Sequence, residues 1–181
     1  PLERARMHIV GHGLKGRIET RLSDGLREVT PGEVDTMIAA GMGGGLVIHI
    51  LEDSPETVKE ISSFILQPQS EIDKVRRYLN EHGYRIVEER MVEESGKFYP
   101  MMRAVHGSGE SYEEYEYLYG KRLLEEKDPV LRTYLLREQG IRESILEQLR
   151  RHKNSPTARE REKEVQEEWR KIRQALAHYE A

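Results

Sequence analysis

Short apolar runs alternate with segments of helical periodicity over roughly the first hundred residues. The predicted strands are 17–22, 35–40, 61–66, 84–92 and 97–105. The predicted helices are 2–12, 26–29, a segment containing Leu46, Ile50 and Leu51, a short segment from Pro55, and a segment between Ser70 as N-cap and Gly83. The last two strands flank a Glu94-Ser95-Gly96 turn, which predicts a hairpin. This order is typical of the later part of a doubly wound α/β sheet.

A second unit begins after Gly107-Ser108-Gly109, where charged helix formers replace β-branched residues. One helix is predicted from the spacing of Leu131, Leu135, Ile141, Ile145 and Leu149. A second helix begins at Pro156 after an Asn154-Ser155 turn, and it carries a heptad seam of Val165, Trp169, Ile172, Leu176 and Tyr179. We therefore predict an α/β domain over 1–106 and a helical domain over 107–181 that resembles an antiparallel coiled coil, with Trp169 packed on the seam.

Composition and charge exclude several classes of protein. The chain has no cysteine, which excludes a disulfide framework, a thiol nucleophile and a cysteine zinc site, and favours the cytoplasm. No apolar run approaches the ~20 residues that span a bilayer, so we expect no membrane partner. The net charge of −4 argues against a strongly basic nucleic-acid-binding domain. Positive charge is nevertheless concentrated in residues 131–181, which carry 12 lysines and arginines against 9 glutamates.

The glycine-rich segment Gly41-Met42-Gly43-Gly44 follows a predicted strand and precedes a helix. Ligands of open α/β sheets bind outside the carboxyl ends of the parallel strands, and glycine lets a ligand approach the backbone. Asp24-Gly25 and Gln67-Pro68-Gln69 follow two other predicted strands, so the three segments predict a crevice for a nucleoside-like cofactor. Two structural alternatives to a binding site remain: the glycine-rich segment could be a plain turn, and Asp24 could cap a helix.

Two other kinds of site fit the sequence poorly. A dinucleotide fingerprint requires a third glycine where Leu46 stands and an acidic residue where Gln67 ends the next strand. His8 and His12 share a helix face, but the sequence offers no further ligand at a suitable spacing, so we predict no metal site.

Several ordered motifs together resemble the bacterial TrmK-type methyltransferases. They are Gly13-Leu14, Arg17-Ile18-Glu19, Asp24-Gly25-Leu26, Pro31-Gly32-Glu33-Val34-Asp35-Thr36, Ala40-Gly41-Met42-Gly43-Gly44, Leu66-Gln67-Pro68-Gln69, Gly83-Tyr84 and Gly96-Lys97-Phe98-Tyr99. The resemblance covers nearly the whole chain and implies a Rossmann-like class I methyltransferase sheet. It also implies S-adenosyl-L-methionine as cofactor and N1 of adenine 22 in tRNA as the methylated atom.

The resemblance assigns roles to particular residues. The cofactor would be bound by Asp24, Gly25, Leu26, Gly41, Met42, Gly43 and Gly44, with Asp24 at its adenine. Methyl donor and target base would meet at the catalytic set Gly41, Met42, Gly43, Gln67 and Pro68. The tRNA would contact Gln69, Lys97, Tyr99, Arg150, Arg151 and Lys153. The alternatives remain open. Lys97 and Tyr99 could be an ordinary cross-strand pair, and Arg150, Arg151 and Lys153 could lie at a solvated helix end.

Two departures from the family pattern lead to further expectations. Proteins of this family begin with a strand, the main methionine-binding loop and a second strand, and this sequence starts after them. We therefore expect an N-terminally incomplete sheet and poor cofactor binding by these 181 residues. Pro100 stands where the family more often has an acidic residue. A non-catalytic RNA-binding or assembly module, which self-associates through its C-terminal helices, remains the alternative function.

Overall fold

The computed structural model describes residues 2–151 and 156–180. Its first part consists of α1 (Leu2–Gly11), β1 (Thr36–Gly43), α2 (Gly44–Asp53), α3 (Pro55–Glu60), β2 (Ser63–Ser70), α4 (Ile72–Glu81), β3 (Tyr84–Glu94) and β4 (Lys97–His106). Its second part is helical and consists of α5 (Glu114–Tyr119), α6 (Lys121–Glu125), α7 (Pro129–Arg151) and α8 (Pro156–Ala177). The mixed α/β fold with a helical C-terminal region agrees with the sequence prediction.

The four strands form one sheet in the order β1-β2-β4-β3. β1 and β2 are parallel, whereas β4 runs antiparallel to both β2 and β3. Alternate residues of β1 and β2, such as Ala39, Phe64 and Leu66, are buried against α2 and α4, because successive side chains of a strand point to opposite faces. The predicted hairpin is confirmed, with Ser95 and Gly96 both at positive φ in its two-residue turn.

Three local predictions are wrong. Residues 17–22 form no strand, because the described residues offer them no sheet partner; their region has one isolated bridge, between Lys15 and Ile18. Residues 26–29 form a turn rather than a helix, closed by the Val29 N–H donating to the Leu26 carbonyl. Ser70 does not cap α4, because it is still paired with β1 as the last residue of β2.

The helices α7 and α8 lie antiparallel to each other. Arg142 Nε donates to Glu168 at 2.6 Å, and near the other end Arg150 lies 3.7 Å from Glu162. Leu135, Val165 and Ile172 are buried, which fits their helical spacing. The finer description of this pair as a coiled coil stays a prediction, as does the domain boundary at residue 106. Among the described residues, no helix is long and apolar enough to cross a membrane.

A buried ion pair joins the α/β part to the helical part. Arg76 of α4 and Glu89 of β3 are almost inaccessible to solvent, and Arg76 Nε donates to Glu89 Oε1 at 2.8 Å. The Arg76 guanidinium also donates to the carbonyls of Tyr117 and Leu118 in α5, while Glu89 Oε2 accepts the backbone N–H of Arg122 in α6. Each charge is therefore satisfied by groups from both parts of the chain.

Candidate active site

The carboxyl end of β1 contains a bulge at Gly41. Its φ of +77° is a conformation that glycine adopts without the strain a Cβ would cause, and the β1–β2 register shifts between Ala40 and Met42. The Gly41 N–H, which the bulge turns away from the ladder, donates to Gln67 Oε1 at 2.9 Å. A side chain of β2 therefore holds the bulged backbone of β1.

The end of β2 supplies the other side of this cluster. Gln67 Oε1 also accepts a hydrogen bond from Gln69 Nε2 at 2.9 Å. Pro68 is buried and lies opposite Met42 in the register. The segment 67–69 thus belongs to the strand, whereas the sequence pattern placed it just after the strand. The structure brings the predicted residues 41–44 and 67–69 together at one sheet edge.

Gly43 and Gly44 differ in what their missing side chains would contact. A Cβ on Gly44 would lie 2.5 Å from the Ser70 carbonyl oxygen and 2.8 Å from that of Glu71, so only glycine allows this close approach of α2 to β2. A Cβ on Gly43 would meet only the Ser70 hydroxyl, at 3.3 Å. Gly44 therefore has a packing role, while the only close neighbour of a Cβ at Gly43 is the Ser70 hydroxyl.

Glu71 is a residue of this edge that the sequence analysis missed. It has a left-handed backbone, with φ of 52°, between β2 and α4. Its carboxylate accepts hydrogen bonds from Lys74 Nζ and from the Gly45 N–H at the start of α2, and these donors lower its pKa. It thus supplies a negative charge at the positive end of α2. Nothing in the sequence marks a glutamate for this conformation, which usually favours glycine or asparagine.

The predicted cofactor residues Asp24, Gly25 and Leu26 form a turn that packs against α2, away from Gly44. A Cβ on Gly25 would be 3.0 Å from the Ile50 side chain. Ile50 is six residues after Gly44 in α2, which corresponds to about 9 Å along the helix axis. The Asp24 side chain is exposed and lies 3.7 Å from Arg27. The structure therefore does not bring the Asp24 turn to the glycine segment: the turn packs beside Ile50, and Arg27 pairs with Asp53 at the far end of α2.

Apart from Gln69, which lies beside Gln67, the predicted tRNA-contacting residues occupy two other places. Lys97 and Tyr99 lie opposite Glu94 and Val92 in the hairpin, beyond the last β2–β4 pair at Leu66. This end of the hairpin contacts α7, because an Arg137 guanidinium N–H donates to the Gly96 carbonyl at 2.8 Å.

Two of the three predicted cations lie far from the hairpin, at the end of α7. Arg150 and Arg151 form exposed ion pairs with Glu162 and Glu147. Lys153 lies outside the described residues.

The fold and this strand end define an α/β protein of the Rossmann type. A Streptococcus agalactiae protein of the NADB-Rossmann superfamily has the same fold, with a TM-score of 0.83 at 24% identity over 97% of this chain and 75% of its own. The chain belongs to the TrmK family, tRNA (adenine(22)-N(1))-methyltransferase, whose model matches residues 1–174.

Two further relatives support this assignment. The tRNA (adenine(22)-N(1))-methyltransferase of Bacillus subtilis is 28% identical over 98% of this chain and 77% of its own length. The structure of Streptococcus pneumoniae Sp1610 in complex with S-adenosyl-L-methionine has a TM-score of 0.79 at 29% identity, over 95% of this chain and 74% of that one.

Proposed function

We propose that the protein methylates N1 of adenine 22 in tRNA, with S-adenosyl-L-methionine as the methyl donor. The observation that carries this proposal is the family match over residues 1–174, on a chain whose sheet edge has an open backbone at Gly41. A non-catalytic RNA-binding module would share the helical part but would have no need of an open strand end held in place by Gln67.

The residues at the sheet edge fit a nucleoside-like cofactor. A Cβ on Gly41 would have no neighbour within 4 Å, so the backbone there faces open space that a side chain would obstruct. We propose that residues 41–44 contact the sulfonium end of the cofactor, and that Asp24, in the turn beside Ile50 of α2, accepts a hydrogen bond from the exocyclic amine of its adenine. When bound, S-adenosyl-L-methionine supplies an electrophilic methyl group on a positively charged sulfur.

The target base needs positioning more than it needs a strong base catalyst. Neutral adenine has a lone pair on N1, so the protein must bring this atom into line with the methyl group and exclude water. Gln67 and Pro68 lie beside the open backbone of Gly41 and Met42, where such a base would approach. We propose that these residues, with Gln69, Lys97 and Tyr99, form the target pocket.

The tRNA body requires a second area of contact, because the target base must leave its stack to reach the strand end. The helical pair is joined to the sheet edge through the Arg137 contact with the hairpin, and it carries Arg150 and Arg151 on its surface. We propose that it contacts tRNA phosphates and that the reaction takes place in the cytoplasm. Self-association through the C-terminal helices stays a prediction.

The function is tested with the full gene product, labelled S-adenosyl-L-methionine and two unmodified tRNA transcripts. One transcript has adenine at position 22 and the other has guanine there. The proposal predicts label in the first transcript and background in the second. Equal labelling of both transcripts contradicts the assignment of position 22. No labelling of either, with folded protein and intact tRNA, would favour the RNA-binding module.

Replacing Gln67 by alanine is expected to lower the rate of methyl transfer about tenfold. The bulged Gly41 N–H loses its acceptor, and losing a hydrogen bond that positions a site is equivalent to about 1 kcal/mol or more. Single-turnover transfer to tRNA measures the effect. Gln67→Glu keeps an oxygen acceptor and is expected to stay closer to the wild-type rate. Wild-type activity of Gln67→Ala would show that this contact does not position the site.

A further inference from the structure

A groove of about 500 Å³ lies between α7 and α8, away from the sheet edge. Its lining residues are Glu143, Leu146, Arg150, Gln166, Trp169 and Arg170. This volume is within the range of small-molecule sites. The proposed transfer reaction does not use this groove, and the sequence analysis assigned Trp169 to packing on the helical seam.

Trp169 is less buried than its seam neighbours. Val165 and Ile172 have relative exposures of 0% and 1%, whereas Trp169 between them stays partly accessible and lines the groove. The indole is nevertheless held in one orientation. Its Nε1–H donates to Glu143 Oε1 at 3.2 Å, and the Arg173 guanidinium lies 5.1 Å from the ring centroid. A partly accessible, fixed aromatic ring is the arrangement that a stacking ligand requires.

Positive charge lines the same groove. Arg150 and Arg170 are both exposed, and each is paired with a glutamate of α8, Glu162 and Glu167 respectively. Exposed pairs of this kind contribute little to stability, about 0–1 kcal/mol, so a phosphate can replace the carboxylate. The exposed amide of Gln166 adds hydrogen-bonding capacity between the two arginines.

We propose that this groove binds an unpaired nucleobase of the tRNA, stacked on Trp169, with its flanking phosphates at Arg150 and Arg170. Proteins recognise single-stranded RNA by stacking splayed bases on aromatic or guanidinium planes, and the groove combines both with phosphate-binding cations. The bound base is distinct from the methylated adenine, which must reach the sheet edge. The inference rests on the proposed function, because it takes tRNA as the ligand.

Trp169 is the only tryptophan of the 181 residues, so its fluorescence reports on the groove directly. Titrating the chain with unmodified tRNA is expected to quench this fluorescence to saturation. Trp169→Leu is expected to weaken tRNA binding, measured by filter retention, about 5- to 150-fold, since stacking of one base is worth about 1–3 kcal/mol. Trp169→Phe keeps an aromatic face and is expected to retain most of the affinity. Circular dichroism checks that each variant is folded.

A matched pair of charge variants tests the phosphate contacts. Arg170→Gln is expected to weaken binding, whereas Arg161→Gln, nine positions away and on the opposite side of α8, is expected to leave it unchanged. Unchanged affinity of folded Trp169→Leu, or tRNA binding without quenching, overturns the inference. If the wild-type gene product still methylates tRNA in that case, the groove assignment alone fails. If it does not, the proposed function fails as well.

Discussion

Replacing Glu89 by alanine is expected to lower the free energy of unfolding by about 3–5 kcal/mol. Glu89 is completely buried and neutralises Arg76, whose exposed fraction is 1%. Without the carboxylate, the guanidinium stays buried with only the carbonyls of Tyr117 and Leu118 as partners, and the Arg122 N–H loses its acceptor. Urea unfolding followed by circular dichroism measures the loss.

Two further variants test whether the loss of stability comes from an unpaired buried charge. Glu88→Gln changes an exposed neighbour on the same strand and is expected to cost less than about 1 kcal/mol. The double variant Arg76→Met with Glu89→Leu removes both charges and is expected to be more stable than Glu89→Ala, because no unpaired charge remains. A loss below about 1 kcal/mol in Glu89→Ala would contradict the role of this pair in holding the two parts of the chain together.

Replacing Gly43 by valine is expected to reduce methyl transfer at least 100-fold while the protein stays folded. The backbone at Gly43, with φ of −67° and ψ of 147°, suits any residue, and a Cβ there would meet only the Ser70 hydroxyl. In the proposed function, the added side chain would occupy the space in which the methyl donor and the base meet, and small displacements of reacting groups cost about 100-fold in rate. Transfer to tRNA and the melting temperature are measured on the same sample.

The neighbouring glycine provides the matched control. Gly44→Ala would bring a Cβ to 2.5 Å from the Ser70 carbonyl oxygen, so it is expected to lower the melting temperature more than Gly43→Val, whose Cβ displaces only the Ser70 hydroxyl. A folded Gly43→Val protein with normal activity would show that the open backbone at this position is not where the transfer takes place.

Local periodicity was sufficient to predict much of the fold. The helices α2, α3 and α4, the strands β1 and β2 and the hairpin were all predicted, because each buries one face and is bounded by glycine, proline or a polar turn. The segment 17–22 has the same alternating pattern but forms no strand. Alternation of apolar and polar residues does not show whether a neighbouring strand is present to pair with.

The sequence predicts the parts of the candidate site that are short continuous segments at strand ends. The sequence predicts residues 41–44, residues 67–69 and the Asp24 turn at one sheet edge. The structure brings the first two together there, whereas the Asp24 turn packs beside Ile50 of α2. The hydrogen bond from Gly41 to Gln67 depends on the register of two strands, and the carboxylate of the left-handed Glu71 accepts the N–H of Gly45 in another element; no local pattern encodes either contact. The partial exposure of Trp169 could not be predicted either, because a heptad position does not reveal how closely its partner helix packs.

The most direct measurement identifies the methylated atom. Transfer RNA treated with the full gene product and S-adenosyl-L-methionine is cut with a nuclease, and the fragment containing position 22 is digested to nucleosides. Chromatography against standards of 1-methyladenosine and N6-methyladenosine then identifies the product. We predict 1-methyladenosine, confined to that fragment. N6-methyladenosine, or a methyl group at another position, would contradict the proposed function.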